Sequence, residues 1–162
     1  MDLISVFYSV RDIPYRIPLK WEDEDNCCSG KHEKLYNLLT KNGYKVRYRV
    51  CVFLWKSLDI PSDLEKIPHG EDCTHTYLEM ELDGKWIVLD ATWDIGLKDL
   101  FHVNFWDGKT DTKIAVKPIK IFSPQKSSDI VKSQDKEVIE KDLAINGKFY
   151  KVFNDWLERN RK

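Results

Sequence analysis

The sequence predicts an α+β fold, in which an amphipathic helix is followed by an antiparallel β-meander and a second amphipathic helix ends the chain. Leucines at helical spacing follow a capping signal at Asn26. Asp83-Gly84, a strong two-residue turn signal, separates two runs typical of strands. Aromatic and aliphatic residues between 149 and 157 recur at the spacing of one helix face.

The first part of the chain is expected to hold one long helix. Residues 1–20 carry two prolines, which favour an extended lead-in after a short element. Either Asn26 or Ser29 can cap the helix that follows. Asn42-Gly43 ends this helix, because glycine readily adopts the left-handed conformation needed after the last turn.

The rest of the chain is expected to form the sheet and its covering helix. Alternating and β-branched residues predict strands at 45–55, 74–82, 85–89 and 110–121. Residues 57–72 predict a loop with at most one helical turn, since they include two prolines and a glycine. The polar segment 123–142 predicts a surface helix or a mobile segment. No internal repeat is present, and one domain over 1–162 is expected.

Charge and composition exclude several classes of protein. The chain has 26 basic and 27 acidic residues, so its net charge of -1 does not indicate a general nucleic-acid-binding surface. No apolar run is long enough to cross a bilayer, and the N-terminus lacks the features of a signal peptide. We therefore expect a cytoplasmic protein with no nucleic-acid or membrane partner. The four cysteines are expected to be reduced.

Three short segments, in order along the chain, contain the candidate catalytic residues. Cys28 lies at the start of the predicted helix, His75 near the start of one hairpin strand, and Asp90 at the end of its partner strand. A nucleophilic thiol, a general base and a carboxylate that orients the base require this set of side chains. The sequence predicts that these three residues form a catalytic triad.

The hairpin register brings the base and the carboxylate together. With a two-residue turn at Asp83-Gly84, position 75 lies opposite about position 92, so His75 and Asp90 are diagonal neighbours on one face. The carboxylate can then fix the tautomer of the imidazole. A cysteine in the first helical turn lies near unsatisfied backbone N–H groups, which favour the reactive thiolate.

The pattern resembles the transglutaminase-like superfamily, papain-like in topology, in its compact prokaryotic form. Cys28, Gly43 and Arg47 match the family's spacing, and this match selects Cys28 over Cys27. Further matching segments are His75-Thr76-Tyr77-Leu78-Glu79, Asp90-Ala91-Thr92, Val10-Arg11-Asp12-Ile13-Pro14-Tyr15 and Asn104-Phe105-Trp106-Asp107-Gly108. The resemblance implies a papain/transglutaminase-like core, with the catalytic helix packed on the antiparallel sheet. It covers most of the chain and is densest from 26 to 94.

The resemblance implies thiol-dependent acyl transfer on amide bonds of peptides or proteins, through a thioester. Hydrolysis of the cysteine peptidase or amidase kind is favoured over crosslinking, because water needs no acceptor site. The backbone N–H of Cys28 would hold the oxyanion, with Trp21 or Asn26 as candidates for a second donor. No cofactor and no metal are expected. The acidic loop 22–25 would attract a cationic substrate, such as a basic peptide or a lysine amine.

Two other functions compete with catalysis. The chain could be a catalytically silent binding module that keeps the transglutaminase fold. It could also be a zinc-binding domain, since His32, His69 and Cys73 add potential ligands near Cys28 and His75, although their spacing matches no common zinc motif. We expect Cys27 to be structural and His32 to be a surface or half-buried residue. Glu79 is expected to be a solvated strand carboxylate and Thr92 a turn hydroxyl, although both could support the catalytic residues.

Overall fold

The computed structural model describes residues 2–162 and shows mixed helix and antiparallel sheet. The helices are α1 (Leu3–Arg11), α2 (Cys28–Lys41), α3 (Ser62–Glu65), α4 (Pro124–Lys132) and α5 (Lys136–Asn160). The strands are β1 (Val46–Leu54), β2 (Asp72–Leu82), β3 (Lys85–Leu89) and β4 (Lys120–Ile121). Short 3-10 turns occur at Trp55–Ser57 and Ile95–Leu97. The α+β class is confirmed.

The sheet has the strand order β3-β2-β1-β4, and every neighbouring pair is antiparallel. Strands β2 and β3 form the predicted hairpin, with Leu82 paired to Lys85. Both turn residues, Asp83 (φ 48°) and Gly84 (φ 78°), have positive φ, as a tight hairpin of this kind requires. Continued from the Leu78–Leu89 pair, this register places position 75 opposite position 92.

Helix α2 packs on the sheet through its leucines. Leu35 and Leu39 are buried in one cluster with Leu78 and Met80 of β2. The predicted caps are wrong, because the helix begins at Cys28 and its cap position is Cys27, which makes no side-chain capping bond. The Asn26 side chain accepts instead from Lys34, and Ser29 donates to Asp25.

The helix ends as predicted. Asn42 is the C-cap of α2, and Gly43 adopts φ 87°, in the left-handed region that glycine tolerates best. The chain can therefore reverse after Lys41 and enter β1 within a few residues.

A buried lysine ties the start of α2 to the surrounding chain. The Lys31 ammonium donates to the carbonyl oxygens of Arg11 (2.8 Å), Ile13 (2.8 Å) and Thr92 (2.7 Å). Three donors on one nitrogen match three acceptors, so this buried polar group is satisfied. The contacts fix the first turn of α2 between the end of α1 and the segment after β3.

The C-terminal amphipathic helix that the sequence predicts is present as α5. Helix α5 buries the aromatic face formed by Phe149, Phe153 and Trp156, and Phe149 packs edge-on to Trp55. The segment 123–142 is helical, since it contains α4 and the start of α5. Among the helices of residues 2–162, none combines the length and the apolar character needed to span a membrane.

The predicted strand at 110–121 is wrong over most of its length, since only Lys120–Ile121 form a strand. Its backbone pairs briefly with the hairpin, where the Thr112 N–H donates to the Val88 carbonyl (3.0 Å). It then leaves the ladder, and the Ala115 N–H donates to the Asp90 carboxylate (2.8 Å). A regular strand would have kept that N–H in a backbone pair.

Candidate active site

The three predicted catalytic residues lie at one end of the sheet. Cys28 is the first residue of α2, His75 is in β2, and Asp90 follows the last residue of β3. Cys28 and His75 both line one cavity of about 510 Å³, a volume in the usual range of small-molecule sites. The Asp90 side chain lies behind His75 and is fully buried.

The His75–Asp90 contact predicted from the hairpin register is present. His75 Nε2 lies 2.7 Å from Asp90 Oδ2, and the two side chains are 2% and 0% exposed. Because the carboxylate is the acceptor, Nε2 carries a proton and donates it to this bond. In neutral His75 the other ring nitrogen, Nδ1, is then the basic one.

The Asp90 carboxylate is held by several donors besides His75. Its Oδ1 accepts from the Thr92 backbone N–H (3.1 Å) and hydroxyl (2.5 Å), and its Oδ2 also accepts from the Ala115 N–H. Burial acts to raise the pKa of Asp90, but the charge and hydrogen bond of His75, then His32 and Thr92, hold the pKa below its ordinary value. Asp90 therefore stays ionised and fixed in orientation.

The backbone around Asp90 is fixed from residues further along the chain. The Asp90 N–H donates to the Thr112 hydroxyl (2.8 Å), and the Asp90 carbonyl accepts from the Asn104 side-chain amide (2.9 Å). The same Asn104 amide also donates to the Lys113 carbonyl. Asn104 lies in a segment that the resemblance had marked, but nothing in the local sequence indicated these contacts.

The two neighbouring cysteines have different surroundings. The Cys27 thiol donates to Asp25 Oδ1 (2.9 Å), and the Cys27 N–H donates to the same oxygen (2.9 Å). Contact with the Cys28 thiol, burial and the Asp25 charge raise the pKa of Cys27 well above its ordinary value. Cys27 is thus held as a neutral thiol, while Cys28 lies at the first helical position, next to free backbone N–H groups.

The two candidates for a second oxyanion donor, Trp21 and Asn26, differ in their position relative to the cavity. Trp21 lines the cavity and is 44% exposed. Asn26 lies outside the cavity lining, where its side-chain oxygen accepts from Lys34 (2.6 Å) and its backbone carbonyl accepts from Arg16 (3.1 Å). Of the two residues, only Trp21 lines the cavity that Cys28 also lines.

His32 was predicted to lie at or near the surface, and this is wrong, because its side chain is 0% exposed. Its Nδ1 lies 2.7 Å from the Cys28 carbonyl and its Nε2 accepts from the Ala91 N–H (2.9 Å). Burial lowers the pKa of His32 to about 4, so the ring is neutral near pH 7. A neutral imidazole therefore joins the backbone of Cys28 to that of the residue after Asp90.

One sequence signal for this role existed. His32 is four residues after Cys28, so both lie on the same face of α2. Glu79 was predicted to be solvated, and this is wrong, because it is buried and paired with Arg47 (2.6 Å) and Arg49 (2.5 Å). Thr92, predicted to be a turn hydroxyl, is buried and donates this hydroxyl to the Asp90 carboxylate.

The side chains considered as zinc ligands make other contacts in the structure. Both nitrogens of His32 are engaged by backbone groups, and His69 stacks on Phe149 with its Nδ1 bonded to the Ile67 carbonyl. Within residues 2–162, no group of three or more histidine, cysteine or acidic side chains is arranged to hold a metal ion.

The site thus combines a half-buried thiol at a helix start with an imidazole oriented by a buried carboxylate, both on one cavity wall. Such a set can form a thiolate, transfer a proton and hold an oxyanion. Comparisons of the chain with protein-family models, with curated proteins and with solved structures found no match.

Proposed function

We propose that this protein is a thiol enzyme that transfers acyl groups from amide bonds of peptides or proteins, with Cys28 as nucleophile, His75 as general acid and base, and Asp90 as the residue that orients His75. The observation that carries the proposal is the hydrogen bond from His75 Nε2 to the buried Asp90 carboxylate, on the wall of the cavity that also contains Cys28. The core would be papain-like, as the resemblance to transglutaminase-like proteins implies.

In the first half of the reaction the Cys28 thiolate attacks the amide carbonyl carbon and a C–S bond forms. The carbonyl electrons move to the oxygen, and the Cys28 N–H with the Trp21 indole N–H would stabilise that oxyanion. His75 Nδ1 gives its proton to the amide nitrogen, the C–N bond breaks, and the amine leaves. Asp90 stabilises the imidazolium before this transfer.

In the second half the thioester is cleaved. Water gives a proton to His75 Nδ1 as its oxygen attacks the thioester carbonyl, and a C–O bond forms. The C–S bond then breaks, which returns the Cys28 thiolate beside a protonated His75 and releases a carboxylic acid. Hydrolysis is favoured over crosslinking, because no second acceptor site is required for water.

Alkylation of the intact protein with iodoacetamide, followed by peptide mass analysis, tests the proposal. We expect Cys28 to react at least about tenfold faster at pH 6 than an ordinary thiol, which is almost fully protonated there because its pKa is about 8.5. The His75→Gln variant should lose this fast reaction. The Cys27→Ser variant is the matched control and should keep it, since Cys27 is held as a thiol.

Slow labelling of Cys28 that follows an ordinary thiol titration, and that is unchanged in His75→Gln, would contradict the proposal. That result would favour a binding module with the same fold. Circular dichroism of each variant shows whether the fold has survived the substitution.

A further inference from the structure

The wall of the cavity beside Cys28 is acidic, and His75 is its one basic side chain within residues 2–162. Three carboxylates line it, namely those of Asp25, Glu33 and Asp142, and no lysine or arginine of residues 2–162 does. None of the three forms an ion pair within the described part of the chain, although eleven other acidic side chains do. In a concave site of low polarity, such charge attracts cations.

Asp142 is the carboxylate that neutral groups hold in place. It accepts from the Tyr150 hydroxyl (2.9 Å to Oδ2) and from the Asn146 side-chain amide (2.8 Å to Oδ1). Asn146 is itself oriented, because its oxygen accepts from the Gly70 N–H (2.8 Å). Tyr150 is buried, so the carboxylate is fixed on the cavity wall by donors that leave its negative charge intact.

Asp25 and Glu33 are weaker candidates than Asp142 for recognising a bound cation. Asp25 accepts from the Cys27 backbone, from the Cys27 thiol and from the Ser29 hydroxyl (2.7 Å), so it organises the loop before α2. Glu33 is exposed at the rim of the cavity. Both add to the negative potential, but only Asp142 is oriented without also fixing the backbone next to Cys28.

The remaining wall suits a long side chain with an apolar stem. Trp55, Trp93 and Leu143 line the cavity together with Tyr150. Lysine and arginine side chains lay their methylene groups along apolar surface and leave the charged end for a polar partner. Aromatic faces add a further attraction for a cation. His75, on the same cavity wall, is 2% exposed and its Nδ1 makes no hydrogen bond within residues 2–162, so this nitrogen is left for the amide of a bound peptide.

We propose that the cavity binds a positively charged side chain of the peptide substrate, of the lysine or arginine type, with Asp142 as its ion-pair partner. This inference rests on the proposed function for the identity of the substrate as a peptide. The charged side chain is the group that is recognised, and the amide that reacts lies at the Cys28 end of the same cavity. Asp142 is thereby a specificity-determining residue.

Protection of Cys28 from iodoacetamide by short blocked peptides tests the inference without requiring turnover. The probes are acetyl-Ala-Lys-Ala-amide and acetyl-Ala-norleucine-Ala-amide, which differ in the terminal ammonium. We expect the lysine peptide to give half-protection at a concentration about tenfold lower, which corresponds to about 1.4 kcal/mol. The ratio should fall to near one in Asp142→Asn and stay near ten in Asp129→Asn, an exposed residue outside the cavity lining.

A second measurement does not depend on the variants folding. In the unchanged protein, raising the salt concentration to 1 M should reduce the advantage of the lysine peptide, because salt screens a partly exposed ion pair. Equal protection by both peptides, or a lysine advantage that survives in folded Asp142→Asn, overturns the inference. An Asp142-dependent lysine advantage together with an ordinary thiol titration of Cys28 supports cation recognition and contradicts acyl transfer, so the two proposals fail separately.

Discussion

Two buried carboxylates four residues apart, Asp90 and Asp94, have different ionisable partners, an imidazole in one case and a guanidinium in the other. Asp90 is 0% exposed and its donors are the His75 ring, two groups of Thr92 and the Ala115 N–H. Asp94 is 2% exposed and is bound by Arg161, at 3.2 Å from both Nε and a terminal nitrogen, as well as by two backbone N–H groups.

The difference shows how burial alone fails to identify a functional carboxylate. The guanidinium of Arg161 is permanently charged, and it bonds both the Asp94 carboxylate and the Tyr15 carbonyl, so it ties the end of α5 to these two segments. Asp90 has only an imidazole, that of His75, as its ionisable hydrogen-bond partner, and an imidazole can act as a general acid or a general base. Asp94 is thus suited to stability, and Asp90 is suited to orienting a proton carrier.

The largest expected effect is on turnover. Asp90→Asn should lower kcat/KM for a peptide substrate by roughly 10³- to 10⁴-fold, because an amide nitrogen cannot accept the His75 Nε2–H and the wrong tautomer is favoured. Steady-state kinetics with any peptide that the parent protein cleaves gives the measurement.

Asp94→Asn is the matched control, and its effects should be the reverse. It should leave kcat/KM within about threefold but lower the free energy of unfolding in urea by roughly 1.5–3 kcal/mol, since Arg161 loses its buried carboxylate and keeps only the exposed Glu158 as an acidic partner. If both variants lose turnover to the same degree while folded, the contrast between the two carboxylates is wrong.

A smaller effect should appear in the pH dependence of stability. The pKa of His32 is lowered from 6.5 to about 4 in the folded protein, so the unfolded chain takes up the proton first as the pH falls. Stability should therefore decrease from pH 6.5 down to pH 4 by roughly 3 kcal/mol from this residue. Urea unfolding at several pH values measures the change.

The His32→Gln variant should lose that part of the pH dependence, because glutamine does not titrate. Arg161→Gln should lower stability at every pH but keep the slope between pH 6.5 and pH 4. An unchanged slope in His32→Gln would show that His32 is not the group that destabilises the fold in weak acid.

The smallest expected effect concerns one donor to Asp90. Thr92→Val removes the hydroxyl bonded to Oδ1 but keeps the backbone N–H, so we expect kcat/KM to fall about three- to tenfold and the free energy of unfolding by about 1 kcal/mol. Thr112→Val removes a hydroxyl that bonds the Asp90 backbone and leaves the carboxylate donors in place. It should cost similar stability with less loss of turnover, and the opposite order would count against the role of Thr92.

Several features followed from local sequence because they depend on neighbours along the chain. The turn at Asp83-Gly84 set the register of β2 and β3, and that register predicted the contact between His75 and Asp90. The spacing of Phe149 and Phe153 predicted the buried face of α5. Gly43 ended α2 because its left-handed conformation is a property of one residue.

Other features depended on partners that are distant in sequence. The strand predicted at 110–121 was wrong because the Ala115 N–H binds the Asp90 carboxylate, which lies 25 residues earlier. His32 was misplaced at or near the surface because its partner, the Ala91 N–H, lies 59 residues later. The burial of Lys31 likewise requires the Thr92 carbonyl, 61 residues away.

The sequence by itself determined α2, α5, the hairpin register and the identity of the three candidate catalytic side chains, since short-range periodicity and turn chemistry encode them. It did not determine α1, because residues 1–20 were predicted to be mainly extended and Leu3–Arg11 form a helix. Only the tertiary structure decided which groups hold Asp90, how His32 bridges Cys28 to Ala91, and that three unpaired carboxylates share the cavity with Cys28. The physical reason is that buried polar groups must find partners wherever the folded chain brings them, and those partners leave no trace in local spacing.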